Sequence, residues 1–385
     1  MWMKIFLWEV AAMLVIYAFV MLLYRKWFVQ LKPFTNPQKN YSSTTSFSII
    51  IPARNEASNI GHCLQGILQQ NYPATLFEVI VIDDHSTDST SDIVENLQKV
   101  YKNLKLIKLV DELNGQIVNS YKKKAIENAI SHAKGTWIIT TDADCIIKKG
   151  WLEIYAAFIE QHNPVFVAAP VIFSNDGSLV STFQYIDFMS LQGITAAAVS
   201  AGFHNMCNGA NLAYKKSVFY EVNGFWGIDK IASGDDMLLM NKIKKSYPNR
   251  IGFLYSQAAI VTTHPMPDWK SFFNQRIRWA SKAEQFKSKD KKVFAVLVLV
   301  YCFNAALFIM PLLAFFNIYF LGYWLLFLIA KTSVELAFAL PVAKFFGQRF
   351  IWWFPLLQPL HIGYIVISGW LGKFGTYHWK GRNVK

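Results

Sequence analysis

At 385 residues the chain exceeds the roughly 100–200 residues of one typical domain, and its 53% hydrophobic residues with a mean hydropathy of +0.24 exceed what a soluble globular protein needs. The net charge of +13 does not point to nucleic acid, because the basic residues form no stripe interleaved with aromatics. They gather beside apolar segments (Arg25, Lys26, Lys32 and the 282–292 stretch), as in chains that meet anionic lipid headgroups. Four scattered cysteines (Cys63, Cys145, Cys207, Cys302), without Cys-x-x-Cys or zinc spacing, suggest neither a disulfide framework nor a zinc site and fit a reducing compartment.

The apolar run over 3–23, broken only by Lys4 and Glu9, is about as long as a helix needs to span hydrocarbon. Arg25 and Lys26 follow it and no small-x-small cleavage site appears, which predicts a retained anchor over 1–26 with the following chain in the cytoplasm. Residues 27–290 read as one domain of soluble character. Strands are predicted at 47–51, 78–82, 105–110 and 137–141, and helices at 58–70 and 88–102. That alternation predicts an α/β, Rossmann-like, mostly parallel sheet covered on both faces. An apolar helix over 267–289, with Trp269, Phe272, Phe273, Ile277 and Ala280 on one face, is predicted to lie at the membrane surface or to face a core.

A membrane region over 291–372 follows. It holds a hairpin at 293–342 that breaks near Pro311 and Asn317, with Lys331 and Glu335 placed to pair four residues apart. That pair reads equally as a functional site or as a self-neutralising pair near the membrane boundary. Pro355, Gln358, Pro359 and His361 interrupt the apolar stretch 352–371, which predicts a re-entrant, interfacial or spanning segment, the re-entrant form being preferred. The basic tail 373–385 is expected to remain cytoplasmic.

In an open parallel sheet, ligands bind beyond the carboxyl ends of the strands, and polar residues collect there. Ala53-Arg54-Asn55-Glu56 follows the first strand and Asp83-Asp84 the second. Carboxylates at a strand end can accept from a base N–H or a ribose hydroxyl, so Asp83 and Asp84, with Ala53 and Glu56 nearby, are candidates for nucleotide recognition. Asp142-Ala143-Asp144 follows the strand near 140. If the chain stays extended, its two carboxylates share a face and suit Mg²⁺ or Mn²⁺ together with a diphosphate. Ser233-Gly234-Asp235-Asp236 precedes an apolar helical run. Asp235 could cap that helix, while Asp236 could act as a general base at its head. In Gln275-Arg276-Ile277-Arg278-Trp279, Gln275 and Arg278 share a face, Arg278 can grip phosphate oxygens and Trp279 offers a flat apolar plate.

These clusters, from about 47 to 279, together resemble the family 2 glycosyltransferases of the GT-A fold. The Gln-x-x-Arg-Trp pattern resembles that of the membrane-integrated branch, which includes ceramide glucosyltransferases and hyaluronan and cellulose synthases. The resemblance implies that Asp84 contacts the uracil, that Asp144 and Asp142 hold the metal, and that Asp236 is the base. It also implies that Gln275, Arg278 and Trp279 border the donor diphosphate and acceptor. Asn208-Gly209-Ala210-Asn211 resembles the acceptor-side loop, with Asp235 beside it. Where relatives carry Gly-Lys, this chain has Tyr121-Lys122-Lys123-Lys124, which leaves open the lysine that faces the nucleotide; Lys123 is taken here. The 376–382 stretch loosely resembles a gating loop, with Arg382 toward the donor.

The expected function is an inverting, metal-dependent transfer (Mg²⁺ or Mn²⁺) of a sugar from a UDP-sugar to a membrane lipid hydroxyl, by a multi-pass protein of the inner membrane whose catalytic domain is cytoplasmic. The runner-up is a processive polysaccharide synthase. A transporter or non-catalytic sugar-binding scaffold is a third reading, opposed by the intact acidic set.

Overall fold

The computed structural model describes residues 1–35, 43–113, 120–229, 231, 234–281, 290–348, 350–374, 377–379 and 382–384. The chain forms two compact units: a sheet unit of Lys32–Ile172 and Asn205–His264, and a helical unit of Met1–Leu31, Phe173–His204 and Pro265–Lys385.

The helical unit opens with α1 (Trp2–Val29). The chain then alternates through β1 (Phe47–Ala53), α2 (Ile60–Leu68), β2 (Phe77–Asp83), α3 (Thr90–Val100), β3 (Leu104–Lys108), α4 (Leu109–Leu113), α5 (Tyr121–His132), β4 (Trp137–Thr140), α6 (Trp151–His162) and β5 (Phe166–Ala168). A short β6 (Val171–Phe173) leads to α7 (Leu179–Ser200), and β7 (Leu212–Lys215), α8 (Lys216–Glu221), α9 (Met237–Ser246), β8 (Ile251–Phe253) and β9 (Val261–Thr263) return to the sheet unit. Last come α10 (Trp269–Ala280), α11 (Lys291–Leu313), α12 (Tyr319–Phe346), α13 (Phe354–Phe374) and the antiparallel pair β10 (Tyr377–Trp379) and β11 (Arg382–Val384).

The main sheet has the order β3-β2-β1-β4-β7-β5-β8. It is parallel except at β7, which runs antiparallel to β4 and β5. Residues 49–51 of β1, 79–82 of β2 and 138–139 of β4 are wholly buried, as expected of parallel strands covered on both faces. Ala53 is level with Asp83, so β1 and β2 finish together, while Thr140, the last residue of β4, is level with Ile50, three residues short of the end of β1. Gly135 permits this close entry of β4: a Cβ there would lie 2.4 Å from the Phe47 carbonyl carbon.

The parallel α/β sheet expected from the alternation is present, with three local differences. The strand expected at 105–110 ends at Lys108 and turns helical at Leu109. β4 ends at Thr140, and the chain turns at Ala143-Asp144, with the Cys145 N–H donating to the Asp142 carbonyl at 3.2 Å; the extended geometry assumed for the Asp-x-Asp pattern is therefore absent. The antiparallel insertion of β7 was not foreseen.

Four helical stretches, Trp2–Val29, Lys291–Leu313, Tyr319–Phe346 and Ile351–Phe374, are long and apolar enough to cross a membrane. Pro311 lies in the last turn of α11 without breaking it, and the hairpin turn falls at 314–318. The segment read as interrupted is instead a continuous helix with Pro359 inside it. Its polar residue Gln358 is buried and satisfied: it accepts from Lys331 Nζ at 2.7 Å and donates to Glu335 Oε2 at 2.6 Å. Lys331 and Glu335 pair at 2.8 Å, and the Tyr17 hydroxyl donates to Glu335. One closed network thus ties α1, α12 and α13 in the interior.

The helix expected over 267–289 is seen as α10; residues 282–289 lie outside the described ones. Its apolar stripe faces protein. Phe183 of α7 lies 5.6 Å from Trp269 and 5.5 Å from Phe272, and Tyr364 of α13 lies 5.3 Å from Phe272. Arg276, buried on the same helix, pairs with Asp187 of α7 at 2.8 Å, and Tyr364 donates to that carboxylate at 2.6 Å.

Because this buried network is closed, removing one member strands a buried charge. Lys331→Met is expected to cost about 3–5 kcal/mol, read as lost thermal stability in detergent micelles. Lys331→Met combined with Glu335→Leu should recover most of that loss.

Candidate functional site

The carboxyl ends of β2 and β1, with that of β4 beside them, gather most of the polar residues marked in the sequence. After β1, Asn55 adopts φ +52°, and His85 after β2 adopts φ +59°. The two loops lace together through Asn55 N–H to Ser86 Oγ (3.0 Å), Thr87 N–H to Asn55 Oδ1 (2.8 Å) and Glu56 N–H to Thr90 Oγ1 (2.8 Å). The Ala53 carbonyl accepts from the Asp84 N–H at 2.8 Å. Asp83 spends its carboxylate on the loop, accepting from Ser86 N–H at 2.9 Å and Ser91 Oγ at 2.6 Å. Asp84 is buried with His85 Nδ1 at 2.9 Å and Arg54 at 3.9 Å. Of the pair expected to meet a nucleoside, Asp83 is thus committed to its own loop.

The turn after β4 points its two carboxylates at different partners. Asp142 Oδ1 accepts from Lys122 Nζ at 3.0 Å, and Asp144 Oδ2 accepts from Thr263 Oγ1 at 2.9 Å. Burial, the charge of Asp142 and that of Glu56 together push the Asp144 carboxyl above its usual range. The Lys122 ammonium also lies 3.5 Å from Asp235 Oδ2. Burial works against its charge, but Asp142, Asp235 and Asp236 outweigh that and hold it well above the usual lysine value. Asp236, rather than Asp235, caps α9: its Oδ1 accepts from Met237 N–H at 2.7 Å and its Oδ2 from Gly209 N–H at 3.1 Å. A carboxylate held this way at a helix N-terminus is fixed in orientation. Ser233, the first residue of that motif, lies outside the described residues.

Gly209 joins the cluster, since a Cβ on it would lie 3.5 Å from Asp235 Oδ2 and 3.6 Å from Lys122 Nζ. Asn208 closes the same turn, its Oδ1 accepting from Ala210 N–H at 2.9 Å. Asn211, expected at the acceptor, is wholly buried with every side-chain group engaged. It accepts from Trp151 Nε1 (3.1 Å) and Tyr155 (3.0 Å), and donates to the carbonyls of Pro170 (2.8 Å) and Ala259 (2.7 Å). Lys123, the lysine chosen from sequence, is buried and donates to the Ile228 carbonyl at 2.7 Å and to that of Ile231. Lys122 is the one that meets the acidic residues, and no periodicity or motif distinguished it. Gln275, Arg278 and Trp279 stand on α10 in the helical unit, with the Trp279 ring 4.3 Å from the Arg276 guanidinium. Arg382 lies in β11.

A family model described as glycosyl transferase family 2 matches residues 48–222, and one described as glycosyl transferase family group 2 matches residues 137–366, more than half of the chain. The chain belongs to the family 2 glycosyltransferases. Among curated proteins it is similar to glycosyltransferase AglE of Haloferax volcanii, 29% identical over 197 residues that make up 51% of this chain and 60% of that protein. It is also similar to the poly-beta-1,6-N-acetyl-D-glucosamine synthase of Staphylococcus epidermidis, 26% identical over 276 residues, 68% of this chain and 61% of that one. The chain therefore spans about three fifths of the length of these relatives. Among solved structures it is similar to the mannosyltransferase PcManGT from Pyrobaculum calidifontis in complex with GDP-Man and Mn²⁺, with TM-score 0.62 and 17% identity, over 95% of this chain and 98% of that one. That likeness places the sheet unit in the GT-A fold.

Among the described residues no three His, Cys, Asp or Glu side chains are grouped to hold a metal. A hard divalent ion that shares its coordination with substrate phosphates needs only one or two carboxylates. The excess negative charge around Asp144 is the electrostatic setting that such an ion relieves, so Asp142 and Asp144 fit it. Cys63 and Cys145 nearby are buried thiols whose pKa values burial drives upward, which leaves them unreactive.

A carboxyl whose folded pKa is raised opposes folding once pH exceeds its unfolded value of about 3.9. Its cost grows as pH climbs through the folded value. Asp144→Asn should therefore raise the melting temperature at neutral pH in excess EDTA, and should flatten the fall in stability as pH rises from about 4. Asn211→Ala should lower stability by about 2–4 kcal/mol, since the Trp151 and Tyr155 donors lose their acceptor, as read by thermal unfolding.

Proposed function

We propose that the chain is a membrane-bound inverting glycosyltransferase that moves a sugar from a UDP-sugar to a hydroxyl of a membrane lipid. The observation that carries this reading is the convergence of Asp236 and Asp142 on one cluster, with Asp236 fixed by two backbone N–H groups. In the proposed step the acceptor oxygen attacks the anomeric carbon while the bond from that carbon to the diphosphate breaks. The electron pair leaves with UDP and the hydroxyl proton passes to Asp236. Asp142 and Asp144 would hold Mg²⁺ or Mn²⁺, which when bound supplies positive charge for the leaving diphosphate. Asp84, with Arg54 beside it, receives the nucleoside in this reading. In the same reading Ala53 and Glu56 border the nucleotide, Asn208 and Asp235 the acceptor, and Gln275, Arg278, Trp279 and Arg382 the donor diphosphate.

The lipid acceptor is favoured by the helical unit. Its interior Lys331, Glu335 and Gln358 bond one another rather than facing an open polar path. Orientation follows from charge. Asn317 at the hairpin turn donates to Met3, and Phe320 stacks on Trp2, so the opposite ends of α1 and α11 carry Arg25, Lys26, Lys291 and Lys292. By the positive-inside rule these charges support a cytoplasmic catalytic domain in a multi-pass inner-membrane protein, the basic segments meeting anionic headgroups. A processive polysaccharide synthase is the second reading, favoured by the likeness to the poly-N-acetylglucosamine synthase.

Incubation of the purified chain with UDP-sugars, Mn²⁺ and a lipid extract should release UDP and yield a single glycolipid mass; a ladder of polymer would favour the second reading, and silence across a broad donor panel would refute both. Asp236→Asn should lower turnover by about 10²–10⁴-fold with UDP-sugar binding largely retained, and near-normal turnover would remove Asp236 as the base.

A further inference from the structure

We infer that Lys122 is the resident counter-ion of the candidate metal site, an ammonium that competes with a divalent cation for Asp142 and so makes metal uptake depend on a nucleoside diphosphate. The inference rests on the reading of Asp142 and Asp144 as metal-holding carboxylates. It concerns how that site is loaded rather than what the site transfers.

The geometry is specific to this residue. Lys122 stands in the first turn of α5, and its side chain is three-quarters buried. Its ammonium donates to Asp142 Oδ1 at 3.0 Å and lies 3.5 Å from Asp235 Oδ2. It thereby joins the carboxylate read as metal-holding to the pair that heads α9. Gly209 leaves the room for it, since a Cβ there would approach the ammonium to 3.6 Å. The neighbouring lysines are engaged elsewhere: Lys123 with the Ile228 and Ile231 carbonyls, and Lys124 with Glu127 at 3.0 Å.

An ammonium is a compact charge with directional donors, whereas Mg²⁺ and Mn²⁺ draw on the same carboxylate oxygens as hard ligands. A free divalent ion approaching Asp142 meets a like charge already bonded there. Two cations on one carboxylate repel, and a carboxylate already neutralised by an ammonium is a weaker partner for a second cation. A diphosphate reverses the balance. It brings negative charge for both cations and offers the ammonium a second set of anionic oxygens, so metal and nucleotide are taken up together.

The test is a titration of the full chain in detergent micelles with MnCl₂ alone, following free Mn²⁺ by its paramagnetic resonance signal. Lys122→Met and Lys122→Gln should each bind Mn²⁺ at least about tenfold more tightly than the unaltered chain, the size of effect that one adjacent charge has on a carboxylate. Lys124→Met should bind as the unaltered chain does. Adding UDP should tighten Mn²⁺ binding more in the unaltered chain than in the Lys122 variants, narrowing the gap. The glutamine variant retains a donor for the two carboxylates and serves if the methionine variant does not fold. Equal or weaker Mn²⁺ binding by the folded Lys122 variants would overturn the inference. Failure of the sugar-transfer reading is separable, because the Asp236→Asn assay reads turnover and this titration contains no sugar.

Discussion

The parallel pairing of β1 with β2 on one side and β4 on the other is the constraint on which the sheet unit depends. Each strand is a short, mostly buried run of β-branched and apolar residues, and parallel register sets Ala53 level with Asp83 and Ile50 with Thr140. Three chains therefore leave the sheet at one edge. Polar residues collect there: Arg54 just past Ala53, Asp83-Asp84 at the end of β2, and Asp142 two positions past Thr140. The loops lock through side chains that accept backbone N–H groups, among them Asn55, Asp83 and Asp88. The two loops are thus cross-linked by hydrogen bonds.

Buried charge is handled in opposite ways in the two units. In the helical unit, Lys331, Glu335, Gln358 and Tyr17 satisfy one another. Arg276 pairs with Asp187, beside Tyr364 and the ring of Trp279. The first of these is a closed network, which offsets the desolvation of its members and specifies which helices pack together. At the sheet edge the account stays open. Asp144 has one hydroxyl donor and two carboxylates in its surroundings, while Lys122 is shared between Asp142 and Asp235. Unsettled charge of this kind is what a site needs if it is to favour a divalent ion or a developing negative charge.

Particular residues show where sequence reading stopped. The strands at 47–51, 78–82 and 137–141 were legible because buried parallel strands are continuous apolar runs. The Asp-x-Asp pattern was legible as a location, but its geometry was not, because the chain turns at Ala143 instead of continuing extended. Asn211 sits in a motif-like tetrapeptide, yet its four bonding partners come from Trp151, Tyr155, Pro170 and Ala259, none of them close to it in sequence. Lys122 and Lys123 differ by one position, which on a helix is a rotation of about 100°. Only the loop carrying Ile228 and Ile231 decides which of the two is buried.

The amino-acid sequence by itself determined the alternation of strands and helices, the apolar segments and the family, because those features depend on residue type and local period. Tertiary structure alone decided that Pro359 and Gln358 belong to an unbroken helix, that the α10 stripe faces other helices, and that Lys122 stands among Asp142, Asp235 and Asp236. These are matters of long-range partnership. A polar residue in an apolar run reads as an interruption until its partner from another helix is known, and a charge takes its role from neighbours brought to it by the fold.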